Sequence, residues 1–172
     1  MKGRLLIFIS LMLASCRGAD RSIEESSSAY ARYFEILDNP VRVVVMSPYD
    51  ATADTLMIDR PLDNLICMSS SHVAALSAIG ADSVITAVSG IRYISDPAIL
   101  QRWRETESGM EGNPLYDIGY EADLDYERIM KLKPDLLLTY TVSGAEPQYI
   151  IKLRSLGIPV LVLHDHLEEH PL

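Results

Sequence analysis

The 172-residue chain is short of several things, and each shortage excludes a class of protein. Two cysteines, Cys16 and Cys67, are too few for a disulfide-stapled scaffold. Basic residues are outnumbered, 15 Lys+Arg against 24 Asp+Glu, for a formal charge of −9. A nucleic-acid binder wants the reverse, a cationic stripe that neutralises phosphates, so no nucleic-acid partner is expected. No apolar run reaches the ~20 residues of a membrane-spanning helix. The sequence also lacks a GxGxxG after a strand, a P-loop, a GxSxG elbow, a CxxC and an HExxH. Ser69, Ser70 and Ser71 precede His72 but show no orienting acid, so no catalytic residues are assigned and no enzyme is expected. What remains is ample core material. Hydrophobic residues make up 48% of the chain, which excludes disorder and fits one domain.

The chain opens with Lys2 and Arg4 ahead of an apolar run over 5–13 that only Ser10 interrupts. A basic start and a short apolar stretch describe a secretory signal. The run ends in Leu13-Ala14-Ser15-Cys16, which resembles the bacterial lipobox and implies a lipidated Cys16. The expected layout is a signal peptide over 1–15 and a lipid-anchored, serine-rich tether over 16–38. An α/β lobe over 39–166 follows, then the start of a linker over 167–172. The chain would then sit on the periplasmic side of the envelope. Cys67, left without a partner inside Leu65-Ile66-Cys67-Met68, reads as a small buried residue.

Within the lobe, the β-branched run 41–46 predicts a strand, Ser47-Pro48-Tyr49-Asp50 a turn, and 55–59 a returning strand. Together they form an N-terminal β-hairpin. From Asn64 onward, short apolar strands (65–68, 84–88, 135–140, 158–163) alternate with helical patterns (71–79, within 97–113, 125–132, 146–156). That alternation predicts an α/β fold, a Rossmann-like parallel sheet flanked by helices. Ligands of such sheets bind beyond the carboxyl ends of the strands. The residues at those ends are Ser69 and Ser70, 89–93, 140–143, and His164 with Asp165.

Among these, Tyr93, Tyr120 and Tyr140 can stack on a flat ligand, and Arg92 suits a carboxylate or an anionic metal chelate. Ser69, Ser70 and Thr141 complete the candidate ligand-binding set. Asp123, Asp125 and Glu127 read first as carboxylates opening a helix, where free N–H groups and the dipole favour them. His164, His166 and His170, with Asp165 nearby, form a histidine tail that could hold zinc, although no fourth ligand is visible.

Several stretches, in this order, resemble the ABC-transporter substrate-binding lipoproteins for iron-siderophore, haem and cobalamin. They are VAALSAIGAD (73–82), DIGY (117–120), LDYERIMKLKPDLLL (124–138) and SLGIPV (155–160). The resemblance covers about 64–165. It implies one lobe, the N-terminal one, of a two-lobed, helix-linked binding protein that clamps its ligand between lobes. It also implies a permease partner in the inner membrane. Glu127 matches the surface glutamate that docks on permease arginines. The expected function is capture of a ferric siderophore, or a related haem or cobalamin ligand, with no resident cofactor. The alternative is a free zinc-binding lipoprotein that uses the C-terminal histidines.

Overall fold

A computed structural model describes residues 31–169. The expected signal peptide, Cys16, most of the tether and His170 lie outside that range. The first three strands, β1 (Phe34–Leu37), β2 (Arg42–Met46) and β3 (Ala53–Met57), form an antiparallel sheet in the order β1-β2-β3. The expected hairpin is therefore a three-stranded meander. Its extra strand falls inside the stretch assigned to the tether. The reason is local chemistry: three of the four residues of β1 are apolar, and Phe34, opposite Val45, rests on the core. Glu168 fastens the start of this strand, its carboxylate accepting the backbone N–H of Arg32 (2.7 Å) and of Tyr33 (2.9 Å).

The second sheet is wholly parallel. It comprises β4 (Leu65–Cys67), β5 (Ile85–Val88), β6 (Tyr116–Asp117), β7 (Leu136–Tyr140) and β8 (Val160–Leu163), in the order β6-β5-β4-β7-β8. The helices between successive strands are α1 (Ser70–Ala78), α2 (Pro97–Glu107), α3 (Tyr126–Leu132) and α4 (Gln148–Ser155). The predicted parallel α/β sheet is what the chain forms. Of this sheet's strands, β6 alone escaped the sequence, because two residues carry no period.

Alternation along β4 splits the core. Ile66 joins Leu137, Ile129, Ile150 and Leu153 on one face, and Cys67 joins Val73, Ile85 and Ile99 on the other. Leu65, Leu136 and Leu161 meet Val45 of the antiparallel sheet in a third cluster. The buried Cys67 thiol has its pKa pushed up to about 12 by desolvation, so it is inert packing, as expected.

Helix boundaries follow cap chemistry. Ser69 caps α1 by accepting from Ser71 N–H, and Asp96 caps α2 ahead of Pro97. Asp125 caps α3 by accepting from Arg128 N–H, which gives that carboxylate the helix-opening role expected of it. Pro134 follows the end of α3, where Lys133 turns left-handed at φ +48°.

Candidate functional site

The strand order reverses at β4: the next strands in sequence, β5 and β6, lie to one side of it, and β7 and β8 to the other. Loops leaving β4 and β7 in opposite directions open a crevice at the carboxyl ends, where such sheets take ligands. Two adjoining cavities occupy this region. One, of about 530 Å³, is lined by Arg92, Tyr93, Asp117, Tyr120 and Asp123. The other, of about 180 Å³, is lined by Met68, Ser89, Tyr120, Tyr140, Val142 and Tyr149. Tyr120 belongs to both.

The larger cavity is organised by two loops, after β5 and after β6, that are tied together by one carboxylate. Asp117 Oδ1 accepts from Gly90 N–H (3.1 Å) and Gly119 N–H (3.0 Å), and Oδ2 accepts from Ile91 N–H (3.3 Å). Gly90 N–H also reaches Gly119 O (3.0 Å), and buried Ser89 donates its hydroxyl to the same carbonyl (2.9 Å). Both glycines are left-handed. A Cβ at Gly119 would stand 2.2 Å from Asp123 O, and one at Gly90 2.9 Å from the Tyr93 ring, so neither tolerates a side chain.

The result is a fixed aromatic stack. The Tyr93 and Tyr120 rings lie 5.1 Å apart at 56°, with the Arg92 guanidinium 4.8 Å and 6.0 Å from their centroids. Among the described residues Arg92 has no ion-pair partner, and Tyr93 is 54% exposed. Held by π-faces, with its donors turned to no carboxylate, this guanidinium is available to an incoming anion.

The smaller cavity is more apolar. Tyr149 donates to or accepts from Thr139 (2.8 Å), which sets its ring under the 141–147 loop. Val142, 72% exposed, overhangs it. Of the expected ligand-binding residues, Arg92, Tyr93, Tyr120, Tyr140 and Thr141 line this pair of cavities. Thr141 spends its hydroxyl locally on Ser143 O (2.9 Å). Ser69 and Ser70 do not line them. Ser69 is consumed as the α1 cap, and Ser70 faces a separate groove beside Ile94 and Pro97. Ser89 and Val142 fall in the rim stretches 89–93 and 140–143 but, like Met68, were not among the candidate ligand-binding residues. An apolar residue and a serine directly beyond a buried strand gave the only hint.

The serine–histidine pair does have an acid nearby. Ser71 donates to Asp165 Oδ2 (2.9 Å), and His72 Nε2 stands 3.7 Å from Asp165 Oδ1, an electrostatic contact too long for a hydrogen bond. His72 above all, and then the Ser71 hydroxyl, hold the Asp165 pKa down to about 2 against the opposing effect of burial. The carboxylate sits between serine and histidine, so the serine proton points at the acid and not at a base. That order stitches α1 to the end of β8; it does not activate a nucleophile.

In the histidine tail, His164 is buried between Tyr33 (6.3 Å) and Tyr49 (5.9 Å), and His166 lies 6.4 Å from it, centroid to centroid. Among the described residues no three His, Cys, Asp or Glu side chains gather as a metal site. Glu127 is exposed on α3 and, among the described residues, paired only with Lys131 one turn on (2.7 Å).

No family model matches the chain. An uncharacterised lipoprotein of Methanocaldococcus jannaschii is 27% identical over 119 residues, 67% of this chain and 28% of that protein. Among solved structures, the iron-uptake substrate-binding protein PiuA of Streptococcus pneumoniae has a TM-score of 0.47 at 14% identity, over 78% of this chain and 38% of its own. The petrobactin-binding protein YclQ of Bacillus subtilis gives 0.45 at 16%, over 71% and 37%. The periplasmic vitamin B12-binding protein BtuF of Vibrio cholerae gives 0.39 at 22%, over 59% and 34%. The chain thus spans between a quarter and two fifths of the length of each protein it matches.

Proposed function

We propose that this chain is the N-terminal lobe of a substrate-binding lipoprotein. It captures an iron chelate, a ferric siderophore, or a related haem or cobalamin ligand, and hands it to an ABC-importer permease. One observation carries the reading: an unpaired Arg92, stacked over Tyr93 and Tyr120, stands beside an apolar hollow at the switch point of a parallel sheet. An anionic, flat or bulky ligand can pair with the guanidinium and lay its apolar part against Tyr120, Tyr140 and Val142. The order of motifs across 64–165 supports the same reading, and so does the exposure of Glu127. Its pairing with Lys131 is a solvent-exposed one of little worth, easily exchanged for an arginine on a permease. In this reading Cys16 carries the lipid and the lobe faces the periplasm.

The test is fluorescence titration of the full chain with ferric tris-catecholate, hemin and cyanocobalamin in turn. Saturable quenching by one of them is expected, weakened about tenfold in Arg92→Ala, as for loss of a charge-assisted contact. If none of the three quenches saturably, the capture reading fails. If Arg92→Ala binds as well as the parent, the guanidinium is not part of the site.

A further inference from the structure

Beyond the outer edge of β8 lies a third cavity, of about 250 Å³, that ligand capture at the mouth does not use. The β2–β3 turn folds over it from one side and the 141–146 loop from the other. They meet tightly: a Cβ at Gly144 would lie 3.1 Å from the Tyr49 Cβ. Thr141 and Ser143 touch both this cavity and the mouth; the remaining lining is separate from the mouth. The floor is apolar, formed by Val45, Ile150 and Val162.

The polar lining is rich in acceptors, with the Ser47 and Tyr49 hydroxyls beside them. Its one guanidinium, Arg154, is already divided between Asp54 on β3 (2.5 Å) and Glu146 (3.1 Å). The hydroxyls of Thr52, Thr141 and Ser143 donate to Asp50, Ser143 O and Ala145 O. Three carboxylates, Asp50, Asp54 and Glu146, therefore face one cation. The His164 ring also lines the cavity. It is 5% exposed, and its Nδ1 is buried without a hydrogen-bond partner among the described residues. A buried imidazole nitrogen left unpaired is costly, and an incoming donor relieves the cost. Burial first, and then His166, keeps the His164 pKa below its ordinary 6.5, so near neutral pH the ring is uncharged, with one bare nitrogen able to accept, and is not a rival cation.

We propose that this cavity is a second binding site, for a small alkylammonium ion. Its three N–H donors answer the surplus of acceptors on Asp50, Glu146 and His164, and its alkyl chain covers Val45, Ile150 and Val162. The site is independent of the mouth, so it stands or falls without the chelate reading.

The experiment is an amide-resolved NMR titration of the full chain near neutral pH with n-butylammonium, and with n-butanol as its uncharged counterpart. Saturable shifts are expected at Asp50, Gly144 and Val162 and none at Arg92 or Tyr120, with n-butanol much the weaker. Asp50→Asn, which keeps the side chain's shape and the oxygen that accepts from Thr52 in the turn, weakens binding about two- to fivefold. His164→Phe, which keeps the ring and removes the acceptor, weakens it further. The proposal is overturned if n-butylammonium gives no saturable shifts there, if n-butanol binds equally well, or if Asp50→Asn keeps the parent affinity.

Discussion

At the scale of single residues, Asp117 both lines the mouth and ties its loops together. Its two oxygens take three backbone N–H groups from two loops, and Arg92, Tyr93 and Tyr120 all hang from those loops. Asp117→Asn keeps the shape, removes the charge and turns one acceptor into a donor that must face an N–H. A loss of about 1–3 kcal/mol in stability is expected, the cost of a mis-satisfied buried hydrogen-bonding group. Urea melts measure it. The same variant should blur the Tyr93–Tyr120 ring contact, seen as averaging of their NMR signals. A sharp parent-like ring pattern would show that Asp117 does not hold the stack. Nothing in the sequence announced this. DIGY stood out as a family-like string, but the carboxylate's three partners lie two, 26 and 27 residues away, a distance only the fold closes. Arg92, Tyr93 and Tyr140 were legible because their position, at or just after the ends of apolar strands, follows from topology alone.

At the scale of elements, the parallel sheet was readable because its strands are continuous apolar runs punctuated by caps: Ser69, Asp96, Asp125 and Pro134 fall where helices start or stop. The elements that escaped are the short ones. The two residues of β6 carry no period, and β1 hid in a polar neighbourhood whose composition suggested a tether. Its order comes from remote partners, Val45 and Glu168. Removing residues 1–38 therefore removes β1. Loss of the Phe34 contact alone should cost about 1.5–3 kcal/mol at most. A Tm several degrees below that of the full chain is expected in calorimetry. An unchanged Tm would mean that β1 adds nothing to the fold.

At the scale of the whole molecule, two adjacent groups, beside the hydrogen-bonded carboxylates Asp50, Asp96 and Asp135, shape the response to acid. His164 and Asp165 both bind protons less readily folded than unfolded, so the unfolded chain gains protons first as pH falls, and stability drops with it. The His164 contribution is complete above about pH 6.5 and is lost as pH falls below it. The Asp165 contribution is complete above about pH 4 and is lost as pH falls towards about 2. Solvent at this partly exposed carboxylate limits its share to about 1–2 kcal/mol. Thermal melts at pH 8, 6, 4 and 2.5 should show two separate declines. Asp165→Asn should flatten the more acidic one and leave the other in place; an unaltered acid limb would assign it elsewhere.

The Glu168 carboxylate grips the backbone of Arg32 and Tyr33, which brings points 136 and 135 residues apart in sequence to one corner of the lobe. Tension applied between Arg32 and Glu168 would not shear the parallel sheet along its strands. It would open that grip first and then peel β1 from β2 one rung at a time, as a zip is drawn from its end. The lobe's mechanical weak point is therefore far from its thermodynamic centre, and a pulled molecule should lose its first strand at low force while the five-stranded body stays whole.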